Sequence, residues 1–347
     1  MMSLKALFPP RWDWQPGKEI VSMCLREFPY LALQDALGAL VAFTVARRSA
    51  GKFVLQLDDT DPEPLSSGNL NHILNMLSWL DLSPDEFDDL GQYGPYSWRE
   101  RRQLEYKDLK LDIYQEIVTS LIDQGWAYLC FCQPMHGQSP PGFFNSSSAY
   151  KQHCREMSPD EIEHRLCMGQ THLVRFRVPN HRKLEYMDPV YGLHYFETDL
   201  MEDFPLLTPD GMPMPYFAYV VDNHFMQATV QVRRQSDLSI VPHEILLSKA
   251  LGWDLPTWIH LPSIHDPTAQ SLFEELRVDQ FHQQGYLPQT ILNFLAELIW
   301  THPEGKAVYP YADFQQGFEI SQIPCKELRL DYELLSHIQR SYTMNKL

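Results

Sequence analysis

A helix-like segment that runs directly into a strand-like one is the strongest constraint near the start of this chain. Residues 37–48 carry apolar side chains at helical spacing, and residues 51–57, with Phe53, Val54, Leu55 and Leu57, have the alternation of a buried strand. A strand following a helix after so short a turn suits a parallel α/β sheet, whose faces helices cover. Helical spacing recurs over 69–80, over 108–124 (Leu109, Ile113, Ile117 and Leu121 on one face), and over 286–300 and 331–342, while 173–178 reads as a short strand. Between 130 and 158 the pattern breaks into Pro, Gly, Ser and Asn, which marks an irregular inserted segment.

A length of 347 residues implies two or three domains at roughly 100–200 residues each, and 44% apolar residues suffice for a sizeable core. No apolar run approaches the roughly 18 residues that span a bilayer, and residues 1–14 lack the apolar stretch of a secretory signal. The expected compartment is the cytoplasm, with no membrane partner. A formal charge of −17 repels nucleic-acid phosphates and removes any broad attraction to RNA. The densest basic stretch is Arg99, Arg101, Arg102, Lys107 and Lys110, which reads as a solvated helix face. Cys24, Cys167 and Cys325 have no partner in sequence, and a disulfide framework is not expected in this compartment.

Several phrases, taken in order, resemble the glutamyl-tRNA synthetase family of class I aminoacyl-tRNA synthetases. They are residues 29–47 and 50–61, residues 202–226, the Ala-Leu-Gly-Trp of 250–253, the His-Leu-Pro of 260–262, and the Gly-Tyr-Leu-Pro of 285–288 followed by 292–295. The resemblance implies a Rossmann-type nucleotide-binding domain in two halves, 1–128 and 204–265. It further implies an inserted α+β domain with a zinc knuckle over 129–203 and a helical stem-contact-like domain over 266–347. Family members continue into an anticodon-binding domain, which this chain is expected to lack.

The family's ATP-binding signatures are degenerate here. The first tetrad, with two histidines in relatives, falls on Ala32, Leu33, Gln34 and Asp35, which sets a carboxylate near the place of the ATP phosphates. The second, lysine-bearing signature falls on Ser271, Leu272, Phe273 and Glu274, without a lysine. Removing one transition-state donor costs on the order of 10²–10³ in rate, so losing both sets argues against adenylation and makes ATP an unexpected cofactor. The resemblance places the glutamate pocket at Ser22, Asp58, Pro215 and Arg233; Arg233 is kept, Asp58 is a shortened acid, and Tyr216 or Tyr219 is placed to refill the gap. A carboxylate is best held by paired guanidinium groups, so glutamate binding should be weak.

Cys130 and Cys132 followed by Tyr150 and Cys154 match the zinc pattern of shorter relatives, the glutamyl-queuosine tRNA(Asp) synthetases. Three thiolates and a phenolate or imidazole make a tetrahedral donor set, with His136 or His153 as alternatives to Tyr150. Structural zinc is the expected cofactor. The expected function is a pseudoenzyme of this family, a non-catalytic binding or regulatory module for a protein or a small carboxylate metabolite, with at most weak tRNA affinity. Two alternatives stand beside it: a divergent glutamyl ligase acting on tRNA or a tRNA base, and repurposed chemistry with His224, His243, His260 or His265 as acid or base at the cleft mouth.

Overall fold

The computed structural model describes residues 11, 14–26, 30–58, 67–87, 90, 91, 93–106, 109–132, 153–268 and 276–345. The chain opens with strand β1 (Ile20–Arg26), helix α1 (Leu33–Arg48) and strand β2 (Lys52–Asp58), the helix-to-strand sequence expected from the pattern. Helices α2 (Ser67–Trp79) and α3 (Trp98–Arg102), strands β3 (Leu104–Tyr106) and β4 (Leu109–Leu111), helix α4 (Ile113–Asp123) and strand β5 (Ala127–Cys130) follow. Next come α5 (Pro159–Cys167), β6 (Leu173–Phe176), β7 (Lys183–Asp188), β8 (Gly192–Glu197) and β9 (Pro205–Leu207). The chain then returns through α6 (Pro215–Met226), β10 (Val230–Arg234), α7 (Val241–Leu251) and β11 (Thr257–Leu261). It ends in β12 (Ile264–His265), α8 (Val278–Gln283), α9 (Pro288–Ile299), α10 (Tyr311–Gly317), β13 (Leu328–Arg329) and α11 (Tyr332–Asn345).

The helix expected over 108–124 is shorter at its start. Asp112 adopts extended backbone and accepts from Gln115 N, a standard N-cap, so the helix begins at Ile113 and Leu109 falls in a strand. Helical spacing at one apolar position was insufficient evidence against a capping acid three residues later.

The central sheet has the order β11-β10-β1-β2, and every pair in it is parallel. After β2 the chain leaves this sheet and comes back on the other side of β1, so the strand order reverses between β1 and β10. In a parallel sheet that reversal opens a crevice at the strands' carboxyl ends. Helix α1 lies across the sheet with eleven of its residues buried, and Gly38 lets it come close: a Cβ there would stand 2.9 Å from Met23 Cε. No helix among the described residues is long and apolar enough to cross a membrane.

Buried carboxylates fasten the remaining elements to this sheet. Asp222 on α6 accepts from Tyr114 of α4 at 2.8 Å and from Gln56 of β2 at 3.3 Å, and lies 3.3 Å from Arg101 of α3. Arg101 is fully buried, so the basic stretch at 99–110 is no continuous solvated face. Lys107 lies outside the described residues. Farther along, Asp203 accepts from Tyr128 Oη at 2.7 Å and from Val178 N at 2.8 Å, and Arg155 lies 3.5 Å away. The β7–β8 hairpin alternates outward and inward, and its inward Asp188 accepts from His260 of β11 at 2.6 Å, from Tyr186, and from the amides of Val190 and Tyr191.

Asp188 and His260 have no exposed side-chain surface, so removing the acid strands an imidazole and two amides. Asp188→Ala should lower unfolding stability by about 3 kcal/mol, while Glu185→Ala on the hairpin's exposed side should change it by less than about 0.5 kcal/mol. Urea unfolding followed by circular dichroism measures both, and equal effects would refute the anchoring role.

Candidate functional site

The crevice at the carboxyl ends of β1 and β10 is lined by Cys24, the first turn of α1 with Gln34 and Asp35, Tyr219 of α6, and Arg233 and Arg234 of β10. Its volume is about 30 Å³, room for one or two waters. What closes it is the way its charged side chains are used. Arg233 Nη1 donates to Glu244 Oε1 of α7 at 2.8 Å, Nη2 donates to Gln231 Oε1, and the guanidinium lies 4.5 Å from the centre of the Tyr219 ring. The Arg233 and Glu244 side chains are 3% and 1% exposed. Burial pushes the Glu244 carboxyl above its usual range, against the pull of Arg233.

The tetrad positions serve as structural joints. Leu33 is buried, Ala32 bridges Arg277, and the amides of Leu33 and Val278 bond the carbonyls of Leu276 and Leu31. Gln34 donates to Pro262 O at 3.2 Å and accepts from Ile264 N at 2.8 Å, clasping the segment after β11. Asp35, expected to repel phosphate, instead accepts from Arg234 at 2.8 Å. Ser271 and Glu274, of the second signature, lie outside the described residues.

Asp58 ends β2 and sits near enough to Tyr219 to oppose that phenol's ionisation, next to the crevice. Tyr216 is elsewhere: its hydroxyl donates to Pro205 O, and its ring stacks on His243 with centroids 4.9 Å apart. Of the two phenols considered for the gap, Tyr219 lines the crevice. Three of the four histidines are engaged elsewhere, while His265 follows Ile264, whose amide bonds Gln34 of the crevice. His260 is buried against Asp188, His243 lies between Phe204 and Tyr216, and His224 stacks on Trp253 with centroids 3.8 Å apart. Glu244 was the residue missed by sequence reasoning, although a lone acid before the apolar run 245–247 signals a buried charge in need of a partner.

Cys130 ends β5, and Cys154 stands on a short helical turn. The sulfurs of Cys130, Cys132 and Cys154 lie within 4.8 Å of one another, with Cys132 and Cys154 3.5 Å apart. A tetrahedral ion with bonds of ~2.3 Å sets sulfurs ~3.8 Å apart, so the trio fits one. Tyr150 and His136 lie outside the described residues, and His153 is exposed beside the trio.

The family model for class I tRNA synthetases (E and Q), catalytic domain, matches residues 30–333. The chain belongs to that family. It is 33% identical to the glutamate–tRNA ligase of Gloeobacter violaceus over 345 residues, which is 97% of this chain and 63% of the relative. It is 30% identical to that of Thermus thermophilus, over 88% of this chain and 63% of the relative. The chain thus spans about 63% of the length of such relatives. The glutamate tRNA ligase of Elizabethkingia meningosepticum, solved in complex with its amino acid, superposes with a TM-score of 0.79 at 22% identity, covering 93% of this chain and 69% of that one. The family's α/β fold with its parallel Rossmann-type sheet is therefore shared.

His243 carries a pH signature. Burial between aromatic rings lowers its pKa from 6.5 to about 4. The unfolded chain therefore takes up this proton first, and the stability is present above pH 6.5 and lost as pH falls toward 4. His243→Phe should lose about 1–2 kcal/mol less stability than the parent chain between pH 7 and pH 5, measured by urea unfolding. Parallel pH profiles for the two proteins would refute this.

Proposed function

We propose that this chain is a glutamyl-tRNA synthetase homologue that does not activate glutamate and acts as a binding or regulatory module. The observation that carries the reading is the internal use of Arg233. Its guanidinium is paired with Glu244, bonded to Gln231 and shut from solvent, so it is not available to clamp a substrate carboxylate. Gln34 and Asp35 are also spent on internal contacts, which supports a crevice that binds neither ATP nor an adenylate. The proposed partner is a protein or a small carboxylate metabolite bound away from Arg233. The proposed compartment is the cytoplasm, and the proposed role for tRNA is a weak, salt-sensitive contact at most.

A working ligase is the second reading, favoured by the names of the relatives and by a family model that spans both halves of the sheet. It requires the crevice to open and Arg233 to exchange Glu244 for substrate. The two separate in one assay. Glutamate-dependent ATP–pyrophosphate exchange should be at background, at least about 10³-fold below an active synthetase, with or without total tRNA. Exchange that vanishes in Arg233→Ala would establish the ligase instead.

Cys130, Cys132 and Cys154 are proposed to hold a structural zinc ion, with Tyr150 or a neighbouring histidine as fourth ligand. The apolar cluster around them is small, with Tyr128, Phe131 and Leu173 buried beside two of the cysteines and Leu129, Met157 and Ile162 partly buried against it, so metal binding would supply much of the local folding energy. Elemental analysis should give about one zinc per chain, and Cys132→Ser should lose it while β1, β2, β10 and β11 stay folded. A metal-free protein as stable as one refolded with zinc would exclude the site.

A further inference from the structure

A second cavity, larger than the crevice, lies at the opposite end of the central sheet's strands. It is about 530 Å³, within the range of small-molecule sites, and opens at the amino ends of β10 and β11, where Thr229 and Pro256 precede the strands. Ligands of such sheets bind at the carboxyl ends, so this cavity is separate from the crevice, although Glu244 lines it and also pairs with Arg233. Aromatic surface dominates the cavity: Trp14, Trp253 and Trp258, with the imidazole of His224 stacked on Trp253. Asn223, Gln227, Thr229 and Ser248 add polar groups.

The charge of the lining selects the ligand. Among the described residues its ionisable carboxyls are Glu244 and Asp254, and no lysine or arginine is among its lining. Glu244 is engaged by Arg233, whereas Asp254 is exposed at the rim and forms no ion pair with a described residue. A phosphate or carboxylate ligand would meet like charge with no guanidinium among the described lining residues to hold it, which disfavours anionic ligands. A neutral apolar ligand would gain nothing from Asp254. A cation gains twice, from the carboxylate and from the negative faces of the indoles. The net charge of −17 also raises the local concentration of cations.

The geometry points to a binding site for a small organic cation, a quaternary or protonated amine whose charged head sits among Trp14, Trp253 and Asp254. The measurement is a titration of intrinsic tryptophan fluorescence, confirmed by calorimetry, with choline and with its neutral carbon isostere dimethylbutanol as probes. Choline should bind about 5–30-fold more tightly than the isostere. Asp254→Asn and Trp14→Ala, both at exposed positions, should each weaken choline binding several-fold while the circular dichroism spectrum is unchanged. Equal affinities for the two probes, no saturable response to choline, or full affinity in both variants would overturn the proposal. Because these readouts involve neither ATP nor glutamate, their failure leaves the reading of the crevice untouched, and the reverse holds as well.

Discussion

The ion pair between Arg233 and Glu244 is the interaction on which the functional reading depends. Two charges removed from water cost several kcal/mol each unless their geometry and hydrogen bonds are good, and breaking such a pair from one side strands the other charge. Here both outer nitrogens are bonded, Nη1 to Glu244 and Nη2 to Gln231, the Tyr219 ring lies against the guanidinium, and the pair is almost fully enclosed, with Nε alone left without a hydrogen bond among the described residues. A guanidinium held this way has no free face for a ligand. A substrate carboxylate would have to displace Glu244 and leave it buried, a cost that an open, solvated arginine would not impose.

The same economy runs through the structure, in which single buried acids gather segments far apart in sequence. Asp222 joins α3, α4, β2 and α6; Asp203 gathers Tyr128, Val178 and Arg155; Asp188 pins the β7–β8 hairpin to β11 through His260. Arg11 and Glu86 do this for the chain's beginning, with contacts of 2.6 and 2.8 Å and a further bond from Tyr96 to Glu86. Each acid is held by several donors at once, and that makes burial of its charge tolerable.

Much of the framework was legible in the sequence because it rests on periodicity. Residues 37–48 and 51–57 alternate as a helix and a strand must, and they formed α1 and β2 within a few residues of the expected bounds. The three cysteines were legible because their pattern resembles the zinc pattern of shorter relatives, and the structure brings their sulfurs together. Partnerships between distant side chains were not legible. Arg101 looked like surface because its neighbours are charged, yet it is buried against Asp222, an acid more than a hundred positions later. The histidines were candidates for an acid or base at the cleft only in one alternative, and a sequence does not show which side of a sheet or helix a ring will occupy. The cavity lined by the tryptophans was invisible for the same reason, being assembled from the chain's beginning and from the ends of α6 and α7.

The connectivity of the sheet also bears on how the chain reaches its fold. Strand β1 pairs with β2 at close range, but its other neighbour is β10, and Ser22 meets Asn223 across 201 positions. Closing so long a loop costs conformational entropy before any contact repays it, and sheets built this way assemble slowly. During synthesis, β1 and β2 emerge long before β10, so one edge of β1 waits unpaired while about two hundred residues are added at roughly 5–20 residues per second. For that interval the nascent chain carries an open apolar strand edge, which makes protection from aggregation on the ribosome a demand set by topology alone.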